Sequence, residues 1–390
     1  MRNKSEMRAF SFDIDIVGAC NLRCPSCAQG NVKEYRLPHG QMEPQLLREI
    51  LAKAKKECRV TSVQLFVWGS PLLHSRLPEM IRIVNEADLP CNLRSNLNVR
   101  HDADAIMAAN PASFKISMSG FTQEIYGITH CGGDVERVKR HMVELAEAKA
   151  RQHAATRIYV CFHRYRHNLK EEPLLRDFAA RLGIGFEPIW AQLLPVCKVL
   201  RFVDDTAFDF TLTAADRQLI ERLALPLGKA LDLAKRYRHQ PCPLRDRQYS
   251  IDWQGNAWLC CAGYDARRFT IGPFLEMPLA RIQELRENHA NCALCMHHGA
   301  HVYMTYGAPG LDELALANLD PADVELLDLR YEIAAKRMKR RIDVLYHRLP
   351  VRLSPAVETA LARQVNRAQQ LVARARHALG GSRGTEDSKE

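Results

Sequence analysis

The 390-residue sequence has no uninterrupted apolar run approaching the length of a membrane span. A secretory signal is missing too, because the opening MRNKSEMRAF carries charge but no apolar segment. These absences predict a soluble, cytoplasmic protein. In that compartment thirteen cysteines do not read as a disulfide framework, since cytosolic thiols are kept reduced. The formal charge of +10 suggests an anionic partner, but no recognisable nucleic-acid-binding module accompanies it, so no nucleic acid is expected. A last absence is local. Cys20, Cys24 and Cys27 stand together in GACNLRCPSCAQG without a fourth cysteine, one thiolate short of a closed tetrahedral site. Either another segment supplies the fourth ligand or the site stays open.

What is present is an alternation of strand-like and helix-like runs, repeated six times. The strand runs are Phe10–Val17, Ser62–Trp68, Cys91–Asn96, Ser113–Ser119, Arg157–Tyr165 and Gly183–Trp190. Helical patterns such as EPQLLREILAKAKKE and DVERVKRHMVELAEAKA fill the gaps, which implies a parallel sheet or barrel. Six units fall short of a full eight-fold barrel. The strands also alternate polar and apolar residues, whereas parallel strands buried on both faces read as continuous apolar runs. Asp13 and Asp15 share one face of the first strand, Asn92, Arg94 and Asn96 one face of the third, and Lys115, Ser117 and Ser119 one face of the fourth. On the fifth, Tyr159, Cys161 and His163 do the same. Polar faces turned inward give an open barrel with a wet lumen; turned outward, they give a surface sheet. The fold class expected is α/β: a partial (β/α)6 barrel with a small cysteine-rich hairpin extension and a helical C-terminal tail.

Thiolate clusters suit zinc or iron–sulfur centres. Three cysteines on one tight loop hold three irons of a cubane and leave the fourth iron free. The loop follows the first strand, at the rim where α/β barrels place active sites. Cys20-x3-Cys24-x2-Cys27 in this position resembles the radical S-adenosylmethionine (radical SAM) superfamily. The resemblance extends over Phe10 to Trp190. It implies a 4Fe-4S cluster whose free iron is chelated by S-adenosylmethionine, and reductive cleavage of that cofactor to a 5′-deoxyadenosyl radical that abstracts hydrogen from substrate. It further implies a one-electron reductant such as flavodoxin or ferredoxin. VWGSPLLH resembles the glycine-rich segment that meets the methionine amine, which nominates Trp68, Gly69 and Ser70; Ser70 stands where the family usually has an acidic residue. RSNLN and KISMSGF resemble the segments that meet ribose and carboxylate, nominating Asn96 and Ser117, with His130 near the carboxylate.

A second cysteine set lies further on. Cys242 precedes and Cys260 ends a hairpin-like run, YSIDWQGNAWLCC, with Gln254-Gly255 at its turn. Cys292-x2-Cys295 completes four thiolates, with Cys261 as an alternative to Cys260. Four ligands saturate a cluster or a zinc ion. The hairpin, its glycine and the late CxxC resemble the auxiliary-cluster extension called SPASM or twitch. Because no cysteine follows Cys295, the resemblance is to the single-cluster twitch form. His297, His298 and His301 are spare ligands at most.

An auxiliary cluster can accept the electron left on a substrate radical, and oxidation then needs a proton acceptor. The lumen-facing candidates are His163, Lys115, Asp13 and Asp15. The chain starts almost at the first strand, leaving no N-terminal domain for a leader peptide or for cobalamin. A polar lumen suits a small hydroxylated molecule, sugar-like or phosphate-bearing, and known twitch members include an aminoglycoside alcohol dehydrogenase. The alternatives are a peptide-modifying radical SAM maturase and a zinc-bearing nucleic-acid binder. The domains expected are a core over 1–195, a connecting helical segment over 196–241, the auxiliary-cluster region over 242–310, a basic helical tail over 311–380 and a disordered end over 381–390. The tail's Arg-rich face either lies in solvent over a packed helix or meets a membrane surface or acidic partner.

Overall fold

The computed structural model describes residues 7–31, 39–336 and 338. Residues 1–329 and 330–390 form two compact units. Most of the basic tail and the whole of 381–390 lie outside the described residues; within the second unit, 330–336 are helical. Among the described residues no helix is long and apolar enough to cross a membrane.

The first unit is built on one nine-stranded sheet. Six strands, β1 (Ala9–Ile14), β2 (Arg59–Gln64), β3 (Cys91–Ser95), β4 (Ser113–Ser117), β5 (Arg157–Arg164) and β6 (Gly185–Trp190), are parallel and lie side by side in chain order. At least one helix follows each. In the longest, Val135–Arg151, Asp134 caps the start by accepting from the Arg137 amide, and Val135, Val138, Met142 and Leu145 form the buried stripe. Sequential parallel strands joined by helices place every helix on one side of the sheet. The apolar sides of the strands, such as Phe12 and Ile14 on β1 and Phe114 and Ile116 on β4, are wholly buried against them. The opposite sides are half-buried and polar, as the alternation in sequence requires. A ladder of side chains crosses that inner face: Gln64 accepts from Asn92 at 3.2 Å, and Asn92 accepts from Ser113 at 2.6 Å.

The barrel stays open. Instead of meeting β6, β1 pairs in parallel with β7 (Gln248–Ile251), which turns back through β8 (Asn256–Trp258) and β9 (Thr270–Pro273). The hairpin is therefore a continuation of the barrel sheet, and its third strand, β9, had no signal in the sequence reading.

Two expectations need correction. The second strand ends at Gln64 and does not run to Trp68, and the first ends at Ile14, before Asp15. The cause is shared. Asp15 accepts the backbone amides of Val67, Trp68 and Gly69 at 3.1–3.4 Å, which bends the chain after β2 and withdraws Asp15 from the lumen face.

Candidate active site and thiolate clusters

The loop after β1 is tightly wound. Cys27 donates its amide to the Cys24 carbonyl at 3.1 Å, and Gly30 and Asn31 donate to the Cys27 carbonyl. Only glycine fits at position 30, where a Cβ would stand 2.4 Å from the Cys24 carbonyl oxygen. The result gathers Cys20, Cys24 and Cys27 at the C-terminal rim of the sheet. Burial pushes the Cys20 thiol up to about 11, with the Cys27 and Asp15 charges adding to it. Burial raises Cys24 further, and the neighbouring Cys27, Cys20 and Cys131 thiols add to the rise. Crowded, half-buried thiols without a cation remain protonated; a soft metal centre among them reverses this, since coordination deprotonates a thiol. The all-thiol donor set fits an iron–sulfur centre.

A cavity of about 430 Å³ opens beside this loop. All six nominated cofactor residues, Trp68, Gly69, Ser70, Asn96, Ser117 and His130, line it. Ser70 is buried, and its hydroxyl has no partner in the protein. Asn96 donates to Cys20 Sγ at 3.6 Å and to Asn21 Oδ1 at 3.1 Å. His130 stacks on Tyr126 at 4.5 Å between ring centres, and burial lowers its pKa to about 4. Trp68 also closes the wall: its indole donates to the Cys261 carbonyl at 3.1 Å and packs against Trp258.

Of the four proton-acceptor candidates, His163 and Asp13 line the cavity, while Lys115 and Asp15 do not. Lys115 sits two residues nearer the N-terminal end of β4 than Ser117, roughly 7 Å down the lumen. There it pairs with Glu187 at 3.4 Å and lies over the Tyr159 ring. Asp15 is pushed up to about 7 by burial, against the pull of its backbone amide donors, and its carboxylate is occupied in holding the loop after β2. His163 is engaged as well. A guanidinium can only donate, so Arg94 Nη2 at 3.2 Å makes His163 Nε2 the acceptor and leaves the proton on Nδ1, facing Ser119 Oγ at 3.4 Å. Burial holds the His163 pKa well below the usual imidazole range, and Arg94 adds to this. Asp13 differs. Its Oδ2 accepts from Gln248, but Oδ1 is buried without a hydrogen-bond partner. Burial raises the Asp13 carboxyl to about 7, with Gln64 tempering the rise.

Arg94, Ser119, Tyr165 and Tyr306 also line the cavity, and sequence reading assigned none of them a role. The inward parity shared with Asn92 and Asn96 was the available signal for Arg94. Tyr306 reaches the cavity from beyond the second cysteine set, a placement with no local signature.

The second set assembles behind the cavity wall. Cys292 and Cys295 lie one turn apart on the helix Ala290–His297, a spacing that puts them on one face. Burial raises the Cys295 thiol well above its usual range, and Cys260, Cys242 and Cys292 each add to the rise. Cys260 thus sits with this group, while Cys261 lines the cavity instead. This donor set is again all thiol and fits a soft metal centre. Among the described residues, no group of three or more His, Cys, Asp or Glu side chains is arranged to hold a metal ion as the side chains stand. Of the spare histidines, His297 is exposed, His298 lies 4.0 Å from Asp204, and His301 is buried against the Gln240 carbonyl at 3.0 Å.

Residues 14–168, from the end of β1 through the Cys20/Cys24/Cys27 loop to the segment after β5, match the sequence model of the Radical SAM superfamily. Over that stretch the chain is similar to the Radical SAM superfamily. Solved structures similar to it include native anSMEcpe with bound AdoMet, at 13% identity over 72% of this chain and 82% of that one, TM-score 0.47. SuiB of Streptococcus suis bound to S-adenosylmethionine is 13% identical over 76% of this chain and 68% of that one, TM-score 0.49. BtrN in complex with AdoMet and 2-DOIA is 10% identical over 75% and 88%, TM-score 0.43. At such distances nothing about substrate carries over. No curated protein is similar enough to this chain to count as a relative.

Proposed function

We propose that this chain is a radical SAM oxidoreductase that oxidises a small hydroxylated molecule, using a second iron–sulfur centre as the electron acceptor. The observation that carries the reading is the shared wall: one cavity is bounded by the Cys20/Cys24/Cys27 loop on one side and by Cys261, adjacent to the second thiol set, on the other. When bound, the first cluster and S-adenosylmethionine supply a 5′-deoxyadenosyl radical that takes hydrogen from substrate. The protein's own groups do the rest. Arg94, fixed by its bond to Ser117 Oγ at 2.9 Å, presents a positive edge to a hydroxyl or anionic group. Asp13, which lines the cavity and whose carboxyl burial raises to about 7, takes the substrate hydroxyl proton. The cavity falls in the range of about 300–1,000 Å³ typical of small-molecule sites.

The test is anaerobic. Reduced, cluster-replete protein is incubated with S-adenosylmethionine and a panel of sugars and aminocyclitols deuterated at their carbinol carbons. Deuterium in 5′-deoxyadenosine together with a carbonyl product supports the reading. Deuterium transfer only from peptides would favour a peptide maturase. No 5′-deoxyadenosine from replete protein would remove radical SAM chemistry itself. Cys292→Ala and Cys295→Ala are expected to keep deuterium transfer and lose the carbonyl product.

A further inference from the structure

Behind the cavity wall lies a buried charge without an acidic partner. Arg286, on the helix Leu279–Glu287, is 0% exposed. Its Nε donates to the Leu259 carbonyl at 2.9 Å, and its Nη2 donates to the Leu244 and Gln248 carbonyls at 2.7 and 2.8 Å. Nη1 donates to Gln283 at 3.3 Å, and the guanidinium lies 4.7 Å from the Tyr249 ring centre. All these partners are neutral; among the described residues no carboxylate stands within ion-pair distance of it. A guanidinium buried this way is costly unless negative charge lies close by.

That charge is available in one place. The carbonyls held by Arg286 belong to the segments carrying Cys242 and Cys260: Leu244 lies two residues after Cys242 and Leu259 directly precedes Cys260. A second guanidinium approaches from the other side. Arg245 Nη1 stands 3.8 Å from Cys292 Sγ and 3.2 Å from Met296 Sδ, while its Nε pairs with Asp246 at 2.8 Å. Four thiolates around an iron–sulfur core leave a net negative centre, and one-electron reduction adds to that charge. Positive groups and N–H donors beside the sulfurs favour the reduced state and so raise the reduction potential.

We infer that Arg286 and Arg245 form a cationic shell for an anionic iron–sulfur centre on Cys242, Cys260, Cys292 and Cys295, and tune it to accept an electron. This rests on the acceptor role proposed above: the substrate radical is oxidised by one electron, its proton goes to Asp13, and the centre is reduced by that electron. The two arginines act through the centre and touch no substrate.

The full-length chain with Cys20, Cys24 and Cys27 replaced by alanine isolates the second centre. It is reconstituted anaerobically with ferrous iron and sulfide and titrated potentiometrically, the reduced cluster being read by electron paramagnetic resonance. Arg245→Gln is expected to shift the midpoint potential downward, and Arg245→Lys to restore most of the shift because it keeps the charge. Arg286→Gln is expected to shift it further or to lose the cluster. The titration is repeated with the first loop intact, so misfolding of the triple variant does not decide the result. An unchanged midpoint in cluster-loaded Arg245→Gln overturns the shell and leaves the acceptor reading standing. Zinc, or no iron and sulfide, on the second set overturns both.

Discussion

Asp15 and Gly69 fix the geometry of the cavity mouth between them. The Asp15 carboxylate gathers three successive amides after β2, and the chain can close on it only because residue 69 has no side chain. A Cβ at Gly69 would meet the Val17 carbonyl oxygen at 1.9 Å and Asp15 Oδ1 at 3.0 Å. Gly69→Ala is therefore expected to destabilise by the upper end of the roughly 1–3 kcal/mol typical of overpacking. It should also weaken S-adenosylmethionine binding; wild-type denaturation and wild-type affinity together would refute this. Asp13 supports a pH prediction. Its folded-state pKa, about 7, lies above the ordinary value of 3.8, so the folded protein binds this proton more tightly than the unfolded chain. The stability this provides is full below the ordinary value and is lost as pH rises through about 7. Asp13→Asn cannot ionise. Relative to wild type it should gain stability between about pH 4 and about pH 8, measured by urea denaturation at both ends. Parallel pH profiles for the two proteins would contradict the assignment.

At the scale of elements, the hairpin β7–β8 decides where the second thiol set stands. Its turn is organised by Asp252, which accepts from the Gln254 and Asn256 amides at 3.0 and 2.9 Å and from the buried Trp258 indole at 3.0 Å. Gly255 takes the left-handed conformation at φ 86°. Cys260 follows two residues after Trp258, so the turn sets its position. Asp252→Ala leaves the indole and the turn amides without acceptors. The expected cost is about 1–3 kcal/mol, with reduced iron in the second set. Full iron content with unchanged thermal stability would show that the turn holds without it. The Gln254-Gly255 turn and the CxxC were legible in sequence because both are local patterns. The pairing of β7 with β1 was not, because a parallel contact between strands more than 200 residues apart leaves no local trace.

At the scale of the whole first unit, the open sheet keeps two thiol sets separate yet adjacent to one cavity. Independent sets predict that alanine at Cys20, Cys24 and Cys27 leaves about half of the wild-type iron if both sets hold four-iron clusters. Loss of all iron would show that the second set depends on the first. The sequence by itself determined the βα alternation, the polar–apolar alternation along each strand and the two cysteine sets. These follow from side-chain period and spacing, which are properties of neighbours along the chain. Tertiary structure alone decided which polar residues reach the cavity. Lys115 and Ser117 share a face, yet only Ser117 stands at the rim, because depth along a strand is set by register with its neighbours. It also decided that Asp15 serves a loop, that Cys261 faces the cavity, and that Arg286 is buried beside thiols. Each depends on which distant segments pack together, and packing is governed by the shape and charge of surfaces that form only once the chain has folded.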